Sequence, residues 1–437
     1  MKKLVSVIGP VGTRSGYGSH ARDLVISLLD LGYDVRTLPI RWGKTPQNAL
    51  NQEDPRDKRI IETLRPDGNI EKQPDIHVHV SVPTEFNPIG KLNIGITAGV
   101  EWTVPHPEWV DAMNRMDLNI VPSNFSKQVF EDAHFTVEDP KTKQKKEIKV
   151  NKPIEVLFEG YDEDLYKKTD LFSQSLVDEM NKIDNDFCFL YTGHWLQGPM
   201  GHDRKDVGMM INTFLNTFKD VDNAPALLLK TSCGTFSPPD KYEIIKKVRD
   251  IKGQVPFNKS LPKIHLLHGE LSDVQMNELY NHPKVKAMVS FTKGEGFGRP
   301  LLEFSTTGKP IIASGWSGHV DFLDKDMSNL LPGGLMKVHK DSIPGNYTHE
   351  ESQWFSVDYN AGSFAMNECF TKYDKYLSRA YLQRQRSEDF TLNKMTDKFG
   401  KILEPWVARL TSHVPVNLPK LQKKDDTKVT LPKLQKA

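Results

Sequence analysis

Cysteine is scarce in this 437-residue chain: Cys188, Cys233 and Cys369 lie far apart with no Cys-x-x-Cys spacing. That argues against a disulfide framework or a zinc site. Net charge is nearly absent, at +1 with 26% charged residues, so any preference for nucleic acid or a membrane must be local. Long apolar runs are missing too. MKKLVSVIGP sets two lysines before an apolar run that stops at Gly9-Pro10, short of the roughly 7 to 15 residues of a signal-peptide core. No stretch approaches the roughly 18 apolar residues of a membrane span. The expectation is a soluble, cytoplasmic protein. Its length fits two domains of roughly 150 to 200 residues, each able to bury a core.

What is present is a regular alternation. Residues 4–8 are a β-rich run, GPVGTRSGYG follows, and apolar periodicity from about 20 to 31 closes at Gly32. This reads as strand, glycine loop and helix, with the next strand at 34–38. Further strands are expected at 75–82, 93–97, 118–121 and 154–157, with helices near 108–115 and 126–131. A second series has strands at 187–192, 226–230, 264–267, 287–290 and 310–313 and helices at 207–218, 241–248, 273–280 and 299–307. Such alternation implies parallel sheets covered on both faces. The expected architecture is therefore α/β: two doubly wound, Rossmann-like halves facing a central cleft, at 1–165 and 166–385, with a closing helix at 386–411. Ligands of such sheets bind beyond the carboxyl ends of the strands. Residues 412–437 hold three prolines and six lysines and repeat LPKLQK at 418–423 and 431–436. They read as a disordered tail whose repeat is either a partner-binding motif or a duplication without a role.

The chemistry concentrates in KGEGFGRPLLEFSTTGKP, residues 293–310. A buried strand enters a turn with Gly294, Gly296 and Gly298, and Pro300 stands where a first helical turn begins. Backbone N–H groups at a helix start form an anion site. Glu295 precedes the helix and Glu303 lies about one turn inside it. Carboxylates accept hydrogen bonds from hydroxyl pairs, so one glutamate on a sugar and one on a ribose would bracket a diphosphate, the layout of a nucleotide sugar. The alternative is an acidic helix start that complements its own dipole.

This segment, continued by Ile311-Ile312-Ala313-Ser314, resembles the E-x7-E signature of family-4 retaining glycosyltransferases, which have the two-domain GT-B fold. The resemblance implies a sugar contact for Glu295, a ribose contact for Glu303, and backbone N–H groups from Gly296, Phe297, Gly298, Arg299, Pro300 and Leu301 around the donor. Arg299 departs from the family, where an apolar residue is usual. His268 to Tyr280 resembles the strand, turn and helix before the signature, and Thr192-Gly193 followed by Asp203-Arg204-Lys205-Asp206 resembles the diphosphate grip. Lys205 matches the family lysine; His194 stands where an arginine is usual, which leaves Arg204 as its substitute. Gly12 to Gly18 resembles the glycine loop, implying donor contacts at Gly16 and Gly18. The family histidine near Thr97 to Glu101 is absent, so Glu101 is the candidate beside the sugar and acceptor, with His20 as a further acceptor-side candidate. The implied catalytic set is Glu295, Lys205, Arg204 and Glu101, with no metal and no cofactor beyond the nucleotide-sugar donor, since the basic residues make a metal unnecessary.

The acceptor is left open. KTKQKKEIKVNK at 141–152 carries six lysines and one glutamate, either a solvated hairpin or a phosphate-tracking patch. GITAGVEW and NRMDLNIVPSNFSK resemble a tailed-phage branch of these transferases, some members of which glycosylate modified DNA bases; the cytoplasm would then be that of an infected cell. Glycan, lipid-linked, small-molecule and duplex-DNA acceptors all remain, beside an alternative of another class: a non-catalytic nucleotide-sugar-binding protein that recruits a partner through its repeated tail.

Overall fold

A computed structural model describes residues 2–43, 45–138, 143–343 and 347–411. The lysine- and proline-rich tail with its LPKLQK repeat lies outside the described residues, as do Lys141 and Thr142 of the lysine-rich stretch.

The chain forms two six-stranded parallel sheets. The first has the order Asp34–Pro39, Leu4–Gly9, Ile76–Val80, Leu92–Ile96, Leu118–Val121, Ile154–Val156. The second has Ile264–Leu266, Ala226–Ser232, Cys188–His194, Val285–Ser290, Ile311–Ser314, Asn329–Leu331. In the second sheet the chain starts at Cys188–His194, winds outwards to one side, and then returns to the other at Val285–Ser290. That reversal leaves a crevice beyond the carboxyl ends of those two strands. Both strands read as nearly continuous apolar runs because both faces are covered, and Phe189, Tyr191, Leu190, Val289 and Met288 are all buried.

The chain crosses between the halves side by side at two places. Tyr161 N–H donates to Phe390 O at 3.1 Å, and Leu392 N–H to Tyr161 O at 2.7 Å. The final helix, Leu392–Thr411, returns to the first half and buries Met395, Phe399 and Leu403 in that sheet's core. Helices therefore close the molecule, as the strandless pattern after residue 364 suggests.

One local expectation needs correction, and one gains detail. The helix after the first strand is Gly16–Asp30, so Gly16 and Gly18 belong to its first turn and not to an open loop. Ser15 caps it, its hydroxyl accepting from Gly18 N–H at 3.0 Å. Gly18 is glycine because a Cβ there would lie 2.2 Å from Thr13 O. The lysine-rich stretch is the second place where the structure adds detail. Lys145–Lys149 pairs antiparallel with His134–Glu138 in a ribbon, whose Phe135 and Ile148 pack on the cluster around Trp109 and Phe130. Its charges are partly neutralised within the fold: Lys146 is 2.9 Å from Asp111 and Lys143 is 3.3 Å from Glu138. The described part of the stretch is an exposed hairpin, as expected. A second ribbon, Gly333–Lys337 with Gln353–Val357, had no clear signal in the sequence. It reaches across the cleft, where Ser352 Oγ donates to Val104 O at 2.6 Å and Thr103 N–H to Gln353 O at 2.8 Å.

Candidate active site

The loop between Cys188–His194 and the helix Val207–Phe218 carries Arg204 and Lys205. The loop between Val285–Ser290 and the helix Arg299–Ser305 carries Glu295. These are the two loops at the reversal point, which is why residues ninety positions apart in sequence meet. Lys205 Nζ donates to Glu295 Oε1. Arg204 Nη1 lies 3.6 Å from Glu295 Oε2 and donates to Gly294 O at 3.0 Å. From the first half, Glu101 approaches the same guanidinium at 3.5 Å. The four expected catalytic candidates thus form one cluster across the cleft.

Its electrostatics are uneven. Burial pushes the Glu295 carboxyl up, but Lys205 and then Arg204 outweigh it and hold the group at about 2. Burial also lowers Lys205, helped by the charge of Arg204 and opposed by Glu295. Burial opposes the charged form of both groups, and their mutual attraction offsets it. Glu101 moves the other way: burial raises it against the pull of Arg204. Two carboxyls on one guanidinium thus differ, Glu295 ionised and Glu101 more easily protonated.

A second cluster surrounds Glu303. Arg299, one helical turn earlier, donates to Glu303 Oε1 at 2.8 Å and crosses the cleft to Asp23 of the first half. Asp23 is itself 1% exposed and also accepts from Arg56. The guanidinium of Arg299 therefore points neither into solvent nor at the Lys205 group, but ties the halves together. Burial raises Glu303 to about 7 despite Arg299, while Arg299 itself is raised well above its ordinary range once its partners offset burial. The two directions are compatible because Arg299 is shared: Asp23 is its largest favourable partner, and Glu303 receives the remainder. Glu159, on the linker beside Tyr161, is buried in the same region and pushed up to about 8 by burial, against Arg299. His20 is 1% exposed with neither ring nitrogen hydrogen-bonded. Burial lowers it to about 4, so at neutral pH it is uncharged.

The other donor-side candidates divide into backbone and core. Gly296 presses against the first half, where a Cβ would fall 1.8 Å from Ala98 O. Gly298 has φ 94° and begins the helix from a left-handed conformation that favours glycine. Phe297 and Leu301 give their side chains to the core of the second half, which removes those side chains from the cleft. Pro300 occupies the second helical position, where no backbone donor is required. Gly16 leaves open space at its Cβ, whereas Gly18 is held by its cap. Sequence reasoning missed Asp23, Arg56, Glu159 and Ser317, whose hydroxyl accepts from Glu295 N–H at 2.9 Å from a φ of 78°. The Ser317 conformation and the buried acids carry no spacing that could have announced them.

No family model and no curated protein matches the chain by sequence. Solved structures do match it by shape. HepE from Anabaena, solved in complex with UDP and glucose, aligns with TM-score 0.59 over 92% of this chain and 100% of its own, at 13% identity. A glycosyltransferase from Rickettsia africae gives 0.60 over 93% and 99%, at 15% identity. Sucrose-phosphate synthase from Thermosynechococcus elongatus gives 0.60 over 93% and 100%, at 12% identity. The chain has the GT-B fold. In GT-B terms the Glu101, Arg204, Lys205 and Glu295 cluster lies at the interdomain cleft, beyond the strand ends of both sheets. Among the described residues no group of three or more His, Cys, Asp or Glu side chains is arranged to hold a metal ion, and no helix is long and apolar enough to cross a membrane.

Proposed function

We propose that this protein is a retaining glycosyltransferase of the family-4 type, transferring a sugar from a nucleoside-diphosphate donor to an acceptor hydroxyl. The observation that carries the reading is the buried Glu295, Lys205, Arg204 and Glu101 cluster at the reversal point of a GT-B fold, eight residues before Glu303. As the bond from the anomeric carbon to the β-phosphate oxygen breaks, the diphosphate takes up the electron pair, the acceptor oxygen bonds to the anomeric carbon in its place, and the proton of that hydroxyl leaves to the departing diphosphate or to a carboxylate of the cluster. Lys205 and Arg204 meet that charge, with the N–H groups of the loop from Gly296 to the helix start. Each charge-assisted hydrogen bond contributes about 1.5 to 3 kcal/mol, so each can account for about 10- to 150-fold in rate. Glu295, kept ionised, accepts from sugar hydroxyls, and Glu303 accepts from the ribose. Glu101 stands on the acceptor side, in the segment after the strand Leu92–Ile96 that also carries Thr97, whose hydroxyl is 2.8 Å from that of Tyr17. Lys205, Arg204 and the loop N–H groups are the donors that meet the diphosphate, and the reading assigns no metal.

A panel of UDP-, GDP-, CDP- and ADP-sugars, read by mass spectrometry for hydrolysis and for transfer to glycan, lipid-linked, small-molecule and hydroxymethylated-DNA acceptors, tests this. Turnover of a donor that is lost in Lys205→Ala and Glu295→Ala supports it. Wild-type rates in both variants, or no turnover of any donor, overturn it.

A further inference from the structure

Behind the Lys205 cluster lies a second recess that no part of the proposed mechanism uses. Two neighbouring cavities, of about 200 Å³ and 390 Å³, share Lys230, Glu270 and Leu271 in their walls. The larger falls within the roughly 300 to 1,000 Å³ of small-molecule sites. Lys230 lies near the carboxyl end of the strand Ala226–Ser232, beside the strand that leads to Lys205. It is 8% exposed. Its Nζ donates to Gly269 O at 2.6 Å and lies 4.8 Å from the centre of the Phe236 ring. One carbonyl and one ring face do not exhaust an ammonium with three donors. Burial lowers this lysine to about 8, with Glu270 opposing. The first half closes the recess: Arg14 lies 3.7 Å from Glu270, and Asn48 Nδ2 donates to the same carboxylate at 3.2 Å.

We infer that Lys230 reads the base of the donor nucleotide by donating to a keto oxygen on its pairing edge, selecting uracil, thymine or guanine over cytosine and adenine. The inference rests on the donor reading above and adds the class of nucleotide. Uracil and thymine present O4 and guanine presents O6 as acceptors, whereas cytosine N4 and adenine N6 present amino donors at the corresponding places. An ammonium has only donors, so an amino group facing it leaves both unsatisfied and keeps a buried charge uncompensated. Phe236 adds an aromatic face beside the ammonium.

UDP against CDP is the sharpest comparison, since the two differ only at position 4 of the base, keto against amino, and at the adjoining N3, which carries a hydrogen in UDP and a lone pair in CDP; GDP against ADP sets the same keto group against an amino group on purines. Calorimetric titration of the full chain with all four is expected to give UDP at least about tenfold tighter than CDP, or GDP at least about tenfold tighter than ADP. In Lys230→Met, which keeps the unbranched side chain as far as Cε and removes the ammonium, that ratio is expected to fall to near one while the weaker partner of the pair binds much as before. Wild-type protein that binds CDP as well as UDP and ADP as well as GDP overturns the inference and leaves the glycosyltransferase reading standing. An unchanged ratio in a folded Lys230→Met variant also overturns it. If none of the four nucleotides binds, the donor site and this inference fall together.

Discussion

Replacing Lys205 with Met removes the ammonium that lies against Glu295. In the native protein this carboxyl is held at about 2, compared with an ordinary 4.5. A carboxylate depressed in the folded state contributes stability that is fully present above its unfolded value and is lost as pH falls through the folded one. Here that window runs from about 4.5 down to about 2. The shift amounts to about 3 kcal/mol at neutral pH. Not all of it disappears, because Arg204 remains at 3.6 Å, and the variant no longer buries an ammonium at a cost. The expected loss is about 2 kcal/mol at pH 7, below the roughly 3 to 5 kcal/mol of leaving a buried charge wholly unpaired. Urea unfolding followed by circular dichroism at pH 7, 5 and 3 checks this: the gap between native protein and variant is expected to shrink by more than half by pH 3. Lys205→Met/Glu295→Gln is expected to recover most of the stability at pH 7, since a neutral amide needs no cation, while remaining inactive. A gap that is constant across pH, or no gap at pH 7, would refute the assignment of Glu295 as a carboxylate dependent on Lys205.

Other outcomes follow from the same geometry. Lys293 and Asp206 form a 2.9 Å pair with both side chains fully buried, so Asp206→Ala should cost about 3 to 5 kcal/mol, seen as a lowered Tm, and Lys293→Met in the same chain should recover much of it. Gly296→Ala drives a Cβ into Ala98 O, backbone against backbone; the halves must separate, and faster proteolysis across the cleft is expected with a raised donor KM. Glu303→Ala should raise donor KM more than it lowers kcat. Because burial holds Glu303 at about 7, donor KM in the native protein should fall as pH rises through about 7 and the acceptor carboxylate forms. The linked stability runs the opposite way: a carboxyl raised in the folded state withdraws stability as pH climbs from 4.5 to about 7.

Much of the architecture was legible because its signals are local. Residues 118–121 are apolar enough to specify a buried strand, and the strand Leu118–Val121 is found there. Helices announced by apolar periodicity, such as Val207–Phe218, fall in their expected places. The short ribbon Gly333–Lys337 with Gln353–Val357 was missed because its strands lack a continuous apolar run and their pairing spans a loop. The early start of the first helix was missed because two glycines in GPVGTRSGYG read as loop, whereas the Ser15 hydroxyl capping Gly18 N–H turns them into a first turn. At the site, the spacing of Glu295 and Glu303 and the Arg204-Lys205 pair stood out. Asp23, Arg56 and Glu159 did not, since a single acid or base in an amphipathic helix or a linker looks like ordinary solvated charge.

The sequence by itself determined the two alternating halves, the glycine turn and the pair of glutamates, all set by residues within a few turns of one another. Tertiary structure decided where the charges go. Arg299 stands between the two glutamates in the chain, yet its guanidinium is claimed by Asp23, 276 positions away in the other half. Likewise Glu101 and Lys205 reach one carboxylate cluster only because both sheets point their strand ends at the same cleft. The direction of a long charged side chain is fixed by whichever opposite charge remains when water is excluded, and that partner is chosen by packing rather than by neighbourhood in sequence.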